Sequence, residues 1–266
     1  MNLFRREVKR NFTGFVVWSV SLCFYIALTM SMFPSAAKND ASLNQFMKQL
    51  PNSMTKAFKL DNISFSNILS YFNINIGILL VLSVGIYAML LGCGMLSKEL
   101  DDKTIEFLQA KPITRSSITT EKMLCYTLYI FTINVVMFIA TYISFQFFKT
   151  KSYSLKTLLL VYVGFFLVEF TFANLGLLVS LFVKKKKAST NISLGVVLGM
   201  YCLYTLSGIS DKFAFIKYLT PFKYADASDV IANGYINSIN IVILIIVNVV
   251  AVALAYFVYN RKDIPT

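Results

Sequence analysis

The sequence predicts an all-α membrane protein that crosses the bilayer six times. Hydrophobic residues make up 57% of its 266 residues, charged residues make up only 14%, and the mean hydropathy is +0.66. A water-soluble domain has about 25% charged residues, so this chain has too few to cover a surface exposed to water. Six apolar runs also recur along the chain, each long enough to cross about 30 Å of hydrocarbon as a helix.

The six apolar runs predict one polytopic transmembrane domain over residues 1–266. The expected spans are 12–33, 72–97, 123–148, 155–183, 190–210 and 238–260. A basic stretch precedes the first span, and it alternates with apolar residues in the manner of an amphipathic helix that lies in the membrane interface. Its basic and apolar members are Arg5, Arg6, Lys9 and Arg10, and Leu3, Phe4 and Val8.

Lysine and arginine are distributed unequally between the two ends of the spans. With six spans, both termini lie on one side, together with the connection between spans two and three and the run 184–187. That side carries 15 of the 25 Lys and Arg residues. Short basic segments stay in the cytoplasm, so both termini are expected to be cytoplasmic. The basic residues at span ends also meet anionic lipid, which accounts for the net charge of +12 without nucleic acid as a partner.

The densest charged stretch lies between the second and third spans, at 97–122, and is called the charged segment below. A helix is expected from about Leu100 to Ala110, because Ile105 and Leu108 share one face. Pro112 ends it, since the residue before a proline is pushed out of the helical region. Ser116 or Ser117 is then expected to cap the following helix.

The residue types present exclude several kinds of site. The chain has no histidine, and its four cysteines lie inside apolar runs without metal-ligand spacing. We therefore expect no metal site and no catalytic residues. The phosphate-binding pattern G-x-x-x-x-G-K-[ST] is also missing from the sequence, so we expect no enzyme activity and no bound nucleotide or Mg²⁺ in this chain.

Glu169 is the one acidic residue in the middle of a predicted span. A carboxylate at that depth is costly, and such residues face the bundle interior or a transport path. Two interpretations stay open here. Glu169 either lies on a path for transported molecules, or is satisfied by Asn134, Asn174 or a hydroxyl group on a neighbouring helix.

Four stretches together resemble the permease subunits of type-2 (ABC-2) ABC exporters. They are TIEFL at 104–108, KPITR at 111–115, LTPFKY at 219–224 and FVYNRKDI at 257–264. In that family, the segment after the second span is a coupling helix that docks into a groove of a separate ATPase subunit. The Pro-Phe element before the last span closes the exit of the transport path.

The resemblance implies roles for particular residues. Coupling to the ATPase is expected from Glu99, Asp101, Asp102, Thr104, Glu106, Phe107 and Arg115. Acidic side chains there suit a basic groove, and Phe107 suits an apolar pocket. Pro221 and Phe222 are expected at the gate, with Glu169 as a further candidate for the path.

The resemblance also implies the function and the partners. The chain is expected to be the permease of an ATP-driven exporter in the bacterial cytoplasmic membrane. ATP and Mg²⁺ would bind the partner ATPase, and a second copy or a related permease would complete the transporter. The aromatic-rich composition favours amphipathic or antimicrobial peptides, or antibiotics, as cargo. The alternatives are an ion- or proton-coupled secondary transporter and a membrane immunity protein that sequesters a peptide.

Overall fold

The computed structural model describes residues 2–40, 65–101, 114–183, 185–209 and 211–261, with positions 42, 45, 49, 51, 54 and 55 between the first two ranges. All regular structure in these residues is helical. The α-helices are α1 (Asn2–Ser31), α2 (Phe33–Lys38), α3 (Ile68–Phe72), α4 (Ile78–Asp101), α5 (Arg115–Phe148), α6 (Leu155–Ser180), α7 (Lys186–Ile209), α8 (Ala227–Asn233) and α9 (Ser238–Arg261). A π-helical turn, Asn73–Gly77, joins α3 to α4, and two 3₁₀ helices, Asp211–Leu219 and Pro221–Lys223, precede α8.

Six of the described helical stretches are long and apolar enough to cross a membrane. They overlap the six runs predicted from sequence, and many apolar side chains on the outside of the bundle are exposed, as lipid-facing residues are. On α1 these include Phe12, Val16, Val20 and Phe24. The fold class predicted from composition and apolar runs is therefore confirmed as an all-α polytopic membrane protein.

The N-terminal residues, which were expected to form an amphipathic interfacial helix, are continuous with the first spanning helix. They form the first turns of α1, which runs without a break from Asn2 to Ser31. Leu3 and Glu7 are buried there, and the Tyr129 hydroxyl donates a hydrogen bond to the carbonyl of Val8. The basic stretch remains part of the spanning helix because contacts with α5 hold it in line.

The helix after the charged segment begins earlier than the predicted third span. Thr114 caps α5, because its hydroxyl accepts a hydrogen bond from the Ser117 amide at 3.2 Å. Neither Ser116 nor Ser117 is the cap, since both already lie inside the helix. The predicted helix over 100–110 lies almost wholly outside the described residues.

Helices α4 and α6 form the centre of the bundle, with α7 on α4 and α9 on α6. Their backbones touch at two glycines. A Cβ atom on Gly92 would lie 2.1 Å from the carbonyl oxygen of Ala173, and one on Gly176 would lie 2.6 Å from that of Met89. Only glycine permits this approach, in agreement with the use of small residues where helices meet in lipid.

Candidate functional site

The charged segment joins α4 to α5, and the structure describes its two ends. Glu99 and Asp101 belong to the last turn of α4, and Arg115 is the first residue of α5. The other expected coupling residues, Asp102, Thr104, Glu106 and Phe107, lie outside the described residues. The structure therefore describes how the two ends of the charged segment continue into α4 and α5.

Arg115 contacts the end of the last spanning helix. Its guanidinium donates a hydrogen bond to the carbonyl of Tyr259 at 3.3 Å. One turn further along α5, the hydroxyls of Thr120 and Tyr256 lie 2.7 Å apart. A cation is stabilised at the C-terminus of a helix, where carbonyl groups lack helical partners. Arg115 therefore ties the start of α5 to the end of α9.

A buried ion pair forms at Lys122, the last residue of the charged segment. The Lys122 ammonium is 3.5 Å from the carboxylate of Glu7 and donates a hydrogen bond to the carbonyl of Met95 at 2.5 Å. Both charged side chains are 0% exposed. Glu7 also accepts from Arg10 at 2.7 Å. Lys122 thus joins α1, the end of α4 and the start of α5 at a single point.

Sequence reasoning missed this ion pair. Glu7 is the one acidic residue before Asp40, and it stands within a basic stretch interpreted as lipid-facing. Lys122 is the last residue of the charged segment, directly before the predicted third span. The available signal was Glu7 itself, the one acidic residue among four basic ones. A carboxylate that is buried in such a stretch needs a basic partner on another element.

A second contact joins the same two helices. The backbone amide of Phe4 donates to the carboxylate of Glu121 at 2.9 Å. The first amides of a helix lack partners within it, and an anion next to them is favoured by the helix dipole. Glu121 therefore fixes the N-terminal end of α1 against α5.

Glu169 belongs to α6, its side chain contacts α5, and it is 1% exposed. Its carboxylate accepts a hydrogen bond from the side-chain amide of Asn134, whose nitrogen also donates to the carbonyl of Ile130 at 2.9 Å. Of the partners considered from sequence, Asn134 is the one present. Asn174 belongs instead to a separate network.

That network links three spanning helices through side chains. The Tyr126 hydroxyl donates to Asn174, and the Asn174 amide donates to Asn248, each at 2.5 Å. The Asn248 amide in turn donates to the hydroxyl of Thr171 at 2.9 Å. Buried amides that join helices in this way supply specific contacts where lipid provides no hydrophobic driving force.

The Pro-Phe element, Pro221 and Phe222, packs against α6 and α7. Phe222 is 6% exposed, and its ring centre lies 5.2 Å from that of Phe172 and 5.7 Å from that of Tyr201. Pro221 is buried at the start of the second 3₁₀ helix. Both expected gate residues are therefore buried, and Phe222 packs against aromatic rings of α6 and α7.

The described residues contain no group of three or more His, Cys, Asp and Glu side chains that could hold a metal ion. The buried polar side chains described above make contacts between helices.

Comparison with known families gives one match. A family model described as "ABC-2 family transporter protein" matches residues 1–264, almost the whole chain. No curated protein matches the chain.

Proposed function

Because the chain belongs to the ABC-2 transporter family, we propose that it is the permease subunit of an ATP-driven exporter. A separate ATPase subunit hydrolyses ATP with its Mg²⁺, and a second copy or a related permease completes the transporter. The protein spans the bacterial cytoplasmic membrane with both termini in the cytoplasm. Family membership and the six apolar helices support this assignment.

The buried contact of Lys122 with Glu7 and Met95 is the observation that carries the proposal. An ATPase-driven movement has an effect only if the segment that receives it is fixed to the spanning helices. Lys122 joins the two helices that flank the charged segment, and Glu7 adds α1 to the same point. A load applied to the charged segment is therefore passed to three spanning helices together.

The acidic residues of the charged segment provide the docking surface for the ATPase. Glu99, Asp101, Asp102 and Glu106 complement a basic groove, Phe107 enters an apolar pocket, and Thr104 contributes a polar contact. Arg115 holds the start of α5 against α9. In this arrangement, Arg115 transmits the movement of the charged segment to α9.

The exit of the path lies at the Pro-Phe element. Phe222 packs on Phe172 and Tyr201, so a change in the spacing of α6 and α7 displaces it. Amphipathic or antimicrobial peptides, or antibiotics, are the proposed cargo, because aromatic side chains offer contacts to apolar groups. The alternatives, secondary transport and peptide sequestration, gain no separate support from the described residues, where the carboxylate of Glu169 accepts a hydrogen bond from Asn134.

The first experiment captures the tagged protein from its native cells in mild detergent and identifies its companions by mass spectrometry. We expect a P-loop ATPase in stoichiometric amount. The double variant Phe107→Ala and Glu106→Ala should lose most of it, because removal of an anchoring aromatic residue costs about 2 kcal/mol or more of binding free energy.

Phe213→Ala is the matched control, since Phe213 is an exposed aromatic residue on the opposite side of the membrane in the proposed topology. It should retain the ATPase in full. An ATPase-free preparation of the folded wild-type protein would contradict the exporter assignment.

A further inference from the structure

A π-helical turn interrupts the second spanning helix near the end that is remote from the charged segment. The span consists of α3, the turn Asn73–Gly77 and most of α4. A π-turn inserts about one extra residue into the helical repeat, which redirects the side chains before it by roughly 100° relative to an unbroken α-helix. Such turns are rare and occur frequently at functional sites. The side chain at the start of this turn is therefore held in a direction that a continuous α-helix would not give it.

Asn73, the first residue of the turn, contacts α8. Its side chain is buried, and its amide nitrogen donates a hydrogen bond to the hydroxyl of Ser228 at 2.8 Å. Gly77, at the other end of the turn, makes room for this arrangement, because a Cβ atom there would lie 2.9 Å from the Asn73 amide oxygen. The two ends of the turn together therefore fix the direction of the Asn73 side chain.

The turn also has a contact with α1. The hydroxyl of Tyr25 donates to the carbonyl of Asn75 at 2.5 Å, which supports the turn from outside its own helix. The side-chain amide of Asn75 donates to the carbonyl of Tyr71 at 3.0 Å, one turn earlier in the same span. Asn75 thus matches Asn73 in residue type and in place, while its amide bonds within its own helix.

Ser228 belongs to the stretch that carries Phe222. Residues 221–233, the Pro-Phe element together with α8, are called the exit segment below. Phe222 and Ser228 are six positions apart, and both border a cavity of about 60 Å³ that lies beneath Phe222, between α4, α6 and α7. Between them, Asp226 caps α8 by accepting a hydrogen bond from the Ser228 amide at 2.8 Å. A displacement of Ser228 is therefore expected to move Phe222 as well.

The exit segment also contacts α6 and α7. A Cβ atom on Gly164 of α6 would lie 3.1 Å from the Cβ of Ala225, so the two backbones approach closely there. The hydroxyl of Tyr204 on α7 donates to Asp226. With the bond from Asn73, the exit segment is thus joined to the second, fourth and fifth spans. Of these three spans, the second is the one whose helix continues into the charged segment.

We propose that Asn73 couples the second span to the exit segment. A displacement of α4 passes through the Asn73 amide to Ser228 and moves the exit segment together with Phe222. This inference rests on the proposed exporter function and adds a positioning residue to it, which links the charged segment at one end of the span to the gate at the other.

The test measures how fast a cysteine beneath Phe222 reacts with a water-soluble methanethiosulfonate reagent. Val168→Cys places this cysteine in the wall of the cavity, where Val168 is 0% exposed. The four natural cysteines are replaced by alanine, and the full chain is studied alone in phosphatidylcholine nanodiscs. The reaction requires a transient opening of the exit segment, so its rate reports how tightly that segment is held.

Loss of the hydrogen bond should loosen the exit segment. Asn73→Leu and Ser228→Ala should each raise the labelling rate by about twofold to tenfold, as expected for loss of one hydrogen bond. The double variant should label no faster than the faster single variant, because both substitutions remove the same bond. Ser228→Thr keeps the hydroxyl and should label at the original rate. Asn75→Leu is the matched control in the same turn, and it should also leave the rate unchanged.

A second comparison tests transmission along α4. Lys122→Met releases the carbonyl of Met95, near the end of α4 at the charged segment. This substitution should change the labelling rate by about twofold or more when Asn73 is present and should leave it unchanged in the Asn73→Leu background. A purely structural role of Asn73 would give the same factor in both backgrounds.

Equal factors in the two backgrounds, including no effect in either, would overturn the proposal, as would unchanged labelling in both Asn73→Leu and Ser228→Ala. Neither comparison uses an ATPase or measures export. Failure to capture an ATPase would refute the exporter assignment, while the dependence of labelling on Lys122 and Asn73 would still be measured. A captured ATPase together with equal labelling factors would keep the exporter assignment and remove Asn73 from the route.

Discussion

Glu169 and Asn134 meet in the bundle interior, where an unsatisfied polar group costs several kcal/mol. Their hydrogen bond joins α5 to α6, and Glu169 is 1% exposed. Glu169 does not line the cavity beneath Phe222, although Phe165 and Val168 of the same helix do. The geometry favours a role for Glu169 in holding the two helices together.

We therefore expect Glu169→Gln to keep both stability and export, because glutamine still accepts the bond from Asn134. Glu169→Leu should lower the free energy of unfolding by about 1 to 3 kcal/mol, since it leaves the Asn134 amide without that acceptor. Thermal unfolding in detergent and cell resistance to a peptide measure the two properties. Altered export by a fully stable Glu169→Gln protein would instead place this side chain on the transport path.

At the scale of helices, the charged contacts at one end of the bundle determine which elements move together. Lys122 connects α5 to α1 and α4, while Arg115 connects α5 to α9. The two contacts lie on either side of Glu121, which holds the first amides of α1. Helix α5 thus connects its end of the charged segment to α1, α4 and α9 through side-chain contacts.

The ion pair should respond unequally to neutralisation of its two members. Glu7→Gln takes the carboxylate away from a fully buried ammonium and should cost about 3 kcal/mol or more of unfolding free energy. Lys122→Met should cost less, because Glu7 keeps its contact with Arg10 at 2.7 Å. The double variant should be more stable than Glu7→Gln alone. Chemical or thermal unfolding in detergent measures all three.

The half-exposed pair of Lys223 and Asp229 is the matched control for that series. Its neutralisation should change stability by about 1 kcal/mol or less, as is usual for exposed pairs. Equal effects of Glu7→Gln and Asp229→Asn would show that the ion pair does not fix the three helices.

At the scale of the whole molecule, the topology is a prediction that labelling can check. In a variant with all four cysteines replaced by alanine, we place single cysteines as Lys187→Cys and Tyr235→Cys, both at exposed positions. A membrane-impermeant maleimide added to intact cells should label Tyr235→Cys and leave Lys187→Cys unlabelled until the cells are opened. The reverse pattern would place both termini outside.

The sequence predicted those features that depend on one stretch of chain at a time. Apolar length identified the six helices, and the cost of a buried carboxylate singled out Glu169, with Asn134 as one of several possible partners. The lone acid among four bases indicates that Glu7 needs a basic partner, but Lys122 is more than a hundred positions away, so no local pattern identifies which residue that partner is. The same holds for the cavity, whose wall combines α4, α6 and α7 with the Pro-Phe element.

The continuity of the N-terminal basic stretch with α1 likewise depends on a tertiary contact. Alternating basic and apolar residues describe a helix with two faces, but they do not say whether lipid or another helix covers the apolar one. In the structure, α5 covers part of it, and burial of Glu7 keeps the first turns continuous with α1. Both arrangements have the same local sequence pattern, and the contact with α5 decides between them.

Backbone contacts join α4 to α6 at two places, Gly92 with Ala173 and Gly176 with Met89. These contacts limit how α4 can move relative to α6. Backbones in direct contact have no side chains between them to change rotamer, so α4 and α6 cannot slide past each other without losing the contact. We expect α4 to rock on α6 with this contact kept, while the packing of Gly85 on Phe172 and of Gly77 on Phe165 changes. A displacement of α4 on the side of the charged segment then goes with an opposite displacement at its other end, where Asn73 and Gly77 border the cavity beneath Phe222. Such a rocking motion needs no hinge residue.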